Sequence, residues 1–445
     1  MRALDMRTHS ALLPGRSAPA QPLLRRPAQR VLPQAFAEER STGPGAAPKP
    51  VPAPVAPTRT LVTFDYADLV AGKDLSAAIE EAYGPNGLGA LVVANIPQYP
   101  ELRRRLLPLA AKLANLDPKV LASLEDPESH YSFGWSLGRE ALSDGRPDSF
   151  KGSFYANPLA DDQLVSSADD FRPRPQSRPA NGNGVSSSGR LTRSMVKVAA
   201  LRAAHPGYYR RNLWPSSPDG LSELEPAFKA LGRLVCSVGY ELMEGCDRYV
   251  ASRLGAQPGK LSGVFQRSMN PKARLLHYFP TPQLEGPAQT APQDWCGWHY
   301  DHGSLTGLTS ALYLDARGQE VPCPDPAAGL YIQDRAGSVV RAAIPADCLA
   351  FQVGEALQVH SGGLLRATPH AVRAAAGPAA AGVSRNTFAV FMQPDVDEPM
   401  QPPPGVSPQQ VAIGQWQPGT TFGQFAEATF EKYYPKSKAM QPQRQ

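Results

Sequence analysis

A chain of 445 residues is long enough for one large or two ordinary domains with a substantial core. Its 42% hydrophobic share is that of a water-soluble protein, and no apolar run approaches the roughly 18 residues of a membrane span, which excludes an integral-membrane class. The formal charge of +5 gives no reason to expect nucleic acid as a partner, because residues 1–37, with six Arg, one Asp and neither Lys nor Glu, carry all of it.

In chain order, residues 1–37 are rich in Arg, Ala, Pro and Leu without a continuous apolar stretch, which predicts an organelle transit peptide, plastid rather than mitochondrion. A disordered tail is the other reading, and the location is then cytoplasmic. Residues 38–60, dense in Pro, Ala and Gly, are expected to be a disordered linker. Residues 61–160 read as an N-terminal lobe of helices and strands. It has a strand at Leu61–Phe64, a helix at Leu75–Tyr83, a strand at Ala90–Ala94 and a helix at Leu102–Leu116. Arg103, Arg104 and Arg105 are placed on that helix's wet face, and Pro108 is expected to kink or split it. Tyr131–Trp135 and Lys151–Pro158 interleave aromatics with Gly and polar groups, a composition suited to pocket walls and equally found in ordinary loops.

Residues 172–190 are a low-complexity insertion. Residues 208–254 hold a long helix, with apolar residues from Leu224 to Tyr249 at helical spacing behind a capping-box pattern, Ser222 and Glu225. Residues 271–395 then switch to short strands separated by Pro and Gly turns, which argues for a β-sandwich or barrel. Residues 396–445 form a tail with a short helix bearing Phe422, Phe425, Phe430 and Tyr433, a packing stripe. The five Cys are odd in number and lack a Cys-x-x-Cys pair, so they read as buried structural thiols.

Chemistry concentrates in the strand-rich half. His299 and Asp301 stand two residues apart, and in a strand or strand-end turn they share a face and can grip one ion. His360 or His370 can supply a third ligand, and two His with one carboxylate suit non-haem Fe(II). Arg385 with Thr387, on the strand that follows, suits a small dicarboxylate, which a guanidinium takes as a fork.

These pieces together resemble the 2-oxoglutarate and Fe(II)-dependent dioxygenases of the isopenicillin-N-synthase-like superfamily. The matching runs are His299-Tyr300-Asp301, Leu357-Gln358-Val359-His360-Ser361-Gly362-Gly363, Ala367-Thr368-Pro369-His370 and Arg385-Asn386-Thr387. The run Lys151-Gly152-Ser153-Phe154-Tyr155-Ala156-Asn157-Pro158 is similar to one in functionally unassigned plant and algal relatives. The resemblance implies a mainly β fold with flanking helices, a double-stranded β-helix (jelly-roll) core and an N-terminal helix/strand lobe. It also implies His299, Asp301 and His370 as iron ligands, with His360 at a turn, and Arg385 and Thr387 as the site of the far carboxylate of 2-oxoglutarate. Where the family often has Asn-Tyr-Tyr-Pro, this chain has His277-Tyr278-Phe279-Pro280, so either Tyr278 or His277 touches the cosubstrate or the two are an ordinary strand pair.

The implied cofactors are Fe(II), 2-oxoglutarate and O2. The implied reaction is hydroxylation, desaturation or dealkylation of a small organic molecule, with release of succinate and CO2. An iron oxidase working without 2-oxoglutarate and a non-catalytic binding scaffold are the alternatives. The prime substrate and the oligomeric state are not legible in these motifs.

Overall fold

In the computed structural model the chain divides into two units, Met1–Ala53 and Pro54–Gln445. The structure describes residues 56–139, 150–160, 200–216, 220–280 and 294–433, with Asp294, Trp295, Lys432 and Tyr433 described for their backbone alone. The expected transit peptide and low-complexity insertion lie outside the described residues, as does the linker up to residue 55.

The described strands are, in chain order, β1 (Thr58–Thr60), β2 (Val62–Asp65), β3 (Ala90–Ala94), β4 (Gly134–Leu137), β5 (Lys151–Ala156), β6 (Lys272–Tyr278) and β7 (Asp294–His299). There follow β8 (Leu305–Thr309), β9 (Leu312–Leu314), β10 (Glu320–Val321), β11 (Gly329–Gln333), β12 (Val339–Ala343), β13 (Leu349–Val353), β14 (His370–Arg373) and β15 (Ser384–Met392). The minor sheet runs β1-β12-β11-β14-β7. The major sheet runs β2-β3-β13-β8-β15-β6-β5-β4, with β9 and β10 attached beside β15. Pairing is antiparallel except at β1 with β12 and β2 with β3. A cavity of about 510 Å³ is lined from both sheets, by residues such as Thr387 on β15 and Leu330 on β11.

Period-2 alternation divides the major sheet into two chemistries. On β15, Arg385, Thr387, Ala389 and Phe391 line the cavity, while Phe388, Val390 and Met392 join the apolar core on the other face. That core is closed by the helix Leu224–Leu254, whose Phe228 meets Phe388 edge to face at 4.9 Å. The approach is close because both sides carry Gly. A Cβ on Gly307 would lie 2.2 Å from Val235 Cγ1, and one on Gly239 2.5 Å from the end of Met392. Gly inside a helix costs about 1 kcal/mol relative to Ala, which the closer packing offsets.

Several expectations are corrected. The linker ends early, since Thr58–Thr60 is strand β1 and pairs with Arg341–Ala343. The 61–160 segment is built into the core, with β2 and β3 extending the major sheet at one end and β4 and β5 at the other. The helix near Pro108 runs unbroken from Tyr99 to Ala114. Arg103 on it is buried, because its guanidinium donates to the Ser310 carbonyl (3.2 Å) and the Ala311 carbonyl (2.7 Å) beside the cavity. Those carbonyls belong to the bend between β8 and β9, where no sheet partner satisfies them.

The Ser222–Glu225 capping box does not form. The long helix starts at Leu224 behind Glu223 with no side-chain cap, and Glu225 pairs with Lys229 instead. The short strands expected over 271–395 are interrupted by the short helix Glu355–His360, which stands ahead of β14. Cys323 is exposed rather than buried.

Candidate active site

His299 closes β7 and His370 opens β14, and the two are register partners, so their rings stand side by side with centroids 4.2 Å apart. Asp301, two residues on, turns its carboxylate to both. Oδ1 lies 3.8 Å from His299 Nε2 and 3.7 Å from His370 Nε2. One ligand atom from each of the three falls within 4.8 Å of the others, the spacing of a single metal ion's donor set.

The Asp301 loop is held by its backbone. Asp301 O accepts from Glu355 N at 2.8 Å, and Gly354 N donates to Ser304 O at 2.9 Å. A Cβ at Gly354 would sit 2.1 Å from Gly303 O, so only Gly allows this approach. Below the loop, the half-buried His302 stacks on Phe422 (5.9 Å) and meets Phe430 edge-on (5.2 Å), which makes these two residues of the C-terminal aromatic stripe a packing surface.

Each of these three side chains has a partner behind it. His299 Nδ1 is 2.8 Å from Gly297 O, His370 Nδ1 is 2.7 Å from the Gln352 amide, and the Thr306 hydroxyl bonds Asp301. Both Nε2 atoms therefore face the centre, the arrangement that metal-binding imidazoles require. Burial pushes the Asp301 carboxyl up, but His370, His299 and Thr306 hold it below the usual range. Burial pushes His370 down to about 4, so its imidazole is neutral at pH 7. Burial also opposes charge on His299, yet the Cys296 thiol 3.6 Å from Nδ1, together with Asp301 and Gly297, raises it to about 10.

Arg385 and Thr387 line the same cavity as His299, Asp301 and His370. Arg385 is flanked across the sheet by Tyr278 on β6 and Tyr313 on β9. Its guanidinium lies 4.7 Å over the Tyr278 ring and bonds the Tyr313 hydroxyl, which burial pushes up to about 12. A planar cation laid on one aromatic ring and tied to a phenol hydroxyl is oriented for a fork on a carboxylate. Tyr278 lines the cavity, whereas His277, one residue out of phase, is buried against Asn386 Oδ1 at 2.8 Å.

His360 is not in the site. It ends the short helix 355–360 and bonds Pro399 O at 3.1 Å, among the residues that pack the C-terminal segment. The Lys151–Pro158 run stands one layer back from the cavity. Ser153 Oγ accepts from Arg274 Nε (3.1 Å) and Nη2 (2.8 Å), and Tyr155 lies 5.0 Å under that guanidinium, while Arg274 itself reaches the cavity. Sequence reading missed Gln352, Thr306, Tyr313 and Arg103. Gln352 carried a signal, a lone amide inside the apolar strand Leu349–Val353.

No family model matches the chain. A UPF0676 protein of Schizosaccharomyces pombe is 26% identical over 156 residues, a match spanning 34% of this chain and 44% of that protein. Solved structures are similar over far more of the chain. A full-length Neurospora crassa protein in complex with alpha-KG and thymine is 16% identical, with a TM-score of 0.53, over 83% of this chain and 95% of that one. A putative 2OG-Fe(II) oxygenase family protein from Caulobacter crescentus is 15% identical, with a TM-score of 0.52, over 84% and 99%. JOX2 in complex with 2OG, Fe and JA is 15% identical, with a TM-score of 0.52, over 85% and 87%. The chain therefore has the fold of the 2-oxoglutarate/Fe(II) oxygenases. Within it, His299, Asp301, His370 and Arg385 all open on one cavity.

Proposed function

We propose that this protein is a non-haem Fe(II) and 2-oxoglutarate-dependent oxygenase acting on a small organic molecule, most simply by hydroxylation, with release of succinate and CO2. The observation that carries the reading is that His299, Asp301 and His370 converge on one cavity that also holds Arg385 and Thr387. The three ligands fit ferrous iron by type and spacing, and each is fixed from behind. Bound there, iron supplies activation of O2 coupled to oxidative decarboxylation of the keto acid.

The chain's own residues do the rest. Arg385 takes the distal carboxylate of 2-oxoglutarate, with Thr387 adding a hydroxyl from the next inward position. Tyr278 and Tyr313 keep the guanidinium planar to that carboxylate. Leu276, Leu308 and Val372 make the surrounding wall apolar and keep water from the reacting end. The remaining volume, bounded by Arg274 and Cys296 beside His299, is where the organic substrate is placed. An expected plastid location rests on residues 1–37 alone.

The test is anaerobic titration of the Fe(II)-loaded protein with 2-oxoglutarate, followed by visible absorption. A weak charge-transfer band of the chelated keto acid is the expected result. Iron binding without the band would favour the oxidase without 2-oxoglutarate. Failure to hold iron would favour the scaffold.

A further inference from the structure

Arg274, Leu276 and Tyr278 line the cavity from alternate positions of β6. Tyr278 is the register partner of Arg385, so Arg274, four residues back, stands about 13 Å along the strand from the level of Arg385. Its charge acts on the Cys296 thiol, which is 3.6 Å from His299 Nδ1. The two guanidinium groups therefore address different stretches of one cavity, Arg385 the far end of the cosubstrate and Arg274 the space beside His299.

The Arg274 side chain is set in place before anything binds. Nε (3.1 Å) and Nη2 (2.8 Å) both donate to Ser153 Oγ, and the guanidinium lies 5.0 Å over the Tyr155 ring, both partners coming from the neighbouring strand β5. A planar cation held by edge and face has little freedom left to lose when a carboxylate arrives. Directly across on β15 stands Ala389, a small residue that leaves room in front of the guanidinium, and Ala389 in turn faces Leu308 on β8. Charge points the same way as shape. Among the described residues the lining holds Arg103, Arg274, Arg341 and Arg385 against Asp301 and Glu320, and Asp301 is turned to the two histidines. A partly desolvated cavity with this excess of cations favours an anion over a neutral molecule of the same shape.

We propose that the prime substrate is a small organic acid, an apolar body bearing a carboxylate, and that Arg274 receives the carboxylate at the end of the cavity beside His299. This rests on the iron and 2-oxoglutarate reading and narrows its substrate class. Arg274 then determines specificity by fixing the acid at one end, so that the carbon to be oxidised is carried on the apolar body between Arg274 and the metal.

The probes for the test are phenylacetate and octanoate, each beside its neutral amide, phenylacetamide or octanamide. They are added to the protein loaded with Mn(II) and N-oxalylglycine, an unreactive mimic of 2-oxoglutarate that keeps Arg385 occupied. Mn(II) broadens the NMR lines of a probe held near it, so one titration reads both affinity and place. Each acid is expected to bind about 10–100-fold more tightly than its amide, the range for a hydrogen bond to a charged group. Arg274→Gln should remove that preference and Arg274→Lys should keep part of it, with the affinity for N-oxalylglycine unchanged in both.

Acids and amides that bind alike, or that both stay unbroadened in the loaded parent, would overturn the proposal. So would a preference that survives Arg274→Gln, because the anchor would then lie elsewhere, and so would a loss of N-oxalylglycine in that variant, which would make Arg274 structural. A parent that takes up no Mn(II) or no N-oxalylglycine would sink the iron reading before any probe is added, and the substrate class with it.

Discussion

The two faces of the major sheet are built from the same strands and differ in nearly everything else. The inner face of β15 presents Arg385 and Thr387 to the cavity, and the residues between them and beyond, Asn386 and Phe388, turn to the other side. Outer-face side chains interlock with the helix Leu224–Leu254 and contribute through burial, at about 25 cal/mol per Å² of apolar surface. Inner-face side chains meet a cavity, so their polar groups are kept for ligands. Binding and stability are therefore separated by single steps along a strand, and substitutions at neighbouring positions should fail in different assays.

The largest effect is expected at the ligands. His370→Ala removes one of three donors and should weaken Fe(II) or Co(II) binding by roughly a thousandfold, about 4 kcal/mol. His360→Ala should leave metal affinity unchanged, since that ring bonds Pro399 instead. Equal losses in a metal titration would break the separation of the two histidines.

Next is Arg385→Ala, which should raise the dissociation constant for 2-oxoglutarate about 100-fold, near 2.7 kcal/mol, with metal affinity retained. Equal loss of metal would make the residue structural.

Lys272 sharpens the comparison from a different side. It is on β6 two positions before Arg274, donates to Ser132 Oγ at 2.9 Å, and lies over Phe133 at 4.7 Å, where burial lowers it to about 7. The unfolded chain holds this proton to near the ordinary lysine value, so it binds more protons than the folded chain above pH 7. Stability should therefore rise with pH, by roughly 2 kcal/mol between pH 7 and 9, and be flat in this respect below pH 7. Lys272→Met should remove that slope in denaturant melts, and a slope that survives would contradict the assignment.

The smallest effect is Phe388→Leu on the outer face, which should cost about 1–2 kcal/mol in a urea melt and leave cosubstrate affinity alone.

Much of this was legible in the sequence because it rests on short-range pattern. The His299-x-Asp301 pair, the strand carrying Arg385 and Thr387, and the apolar stripe of the long helix are read from spacing alone. The resemblance ordered His370 ahead of His360, and the register of β7 with β14 is what seats it beside His299. Other features depend on contacts between residues distant in sequence. Arg103 has the look of a wet-face residue beside two further arginines and is buried by carbonyls some two hundred positions away. The same holds for Gln352 behind His370 and for the tyrosines flanking Arg385. Ser222 and Glu225 show the opposite failure, a local motif that the packing of the helix start did not use.

The most direct test is calorimetric titration of 2-oxoglutarate into the Mn(II)-loaded parent, Arg385→Ala and Phe388→Leu, with a urea melt of each metal-free protein. The account expects Arg385→Ala to lose cosubstrate affinity about 100-fold with a melt close to the parent's, and Phe388→Leu to melt earlier with affinity unchanged. Two variants that lose affinity and stability in the same proportion would contradict it, because the inner face would then be as structural as the outer.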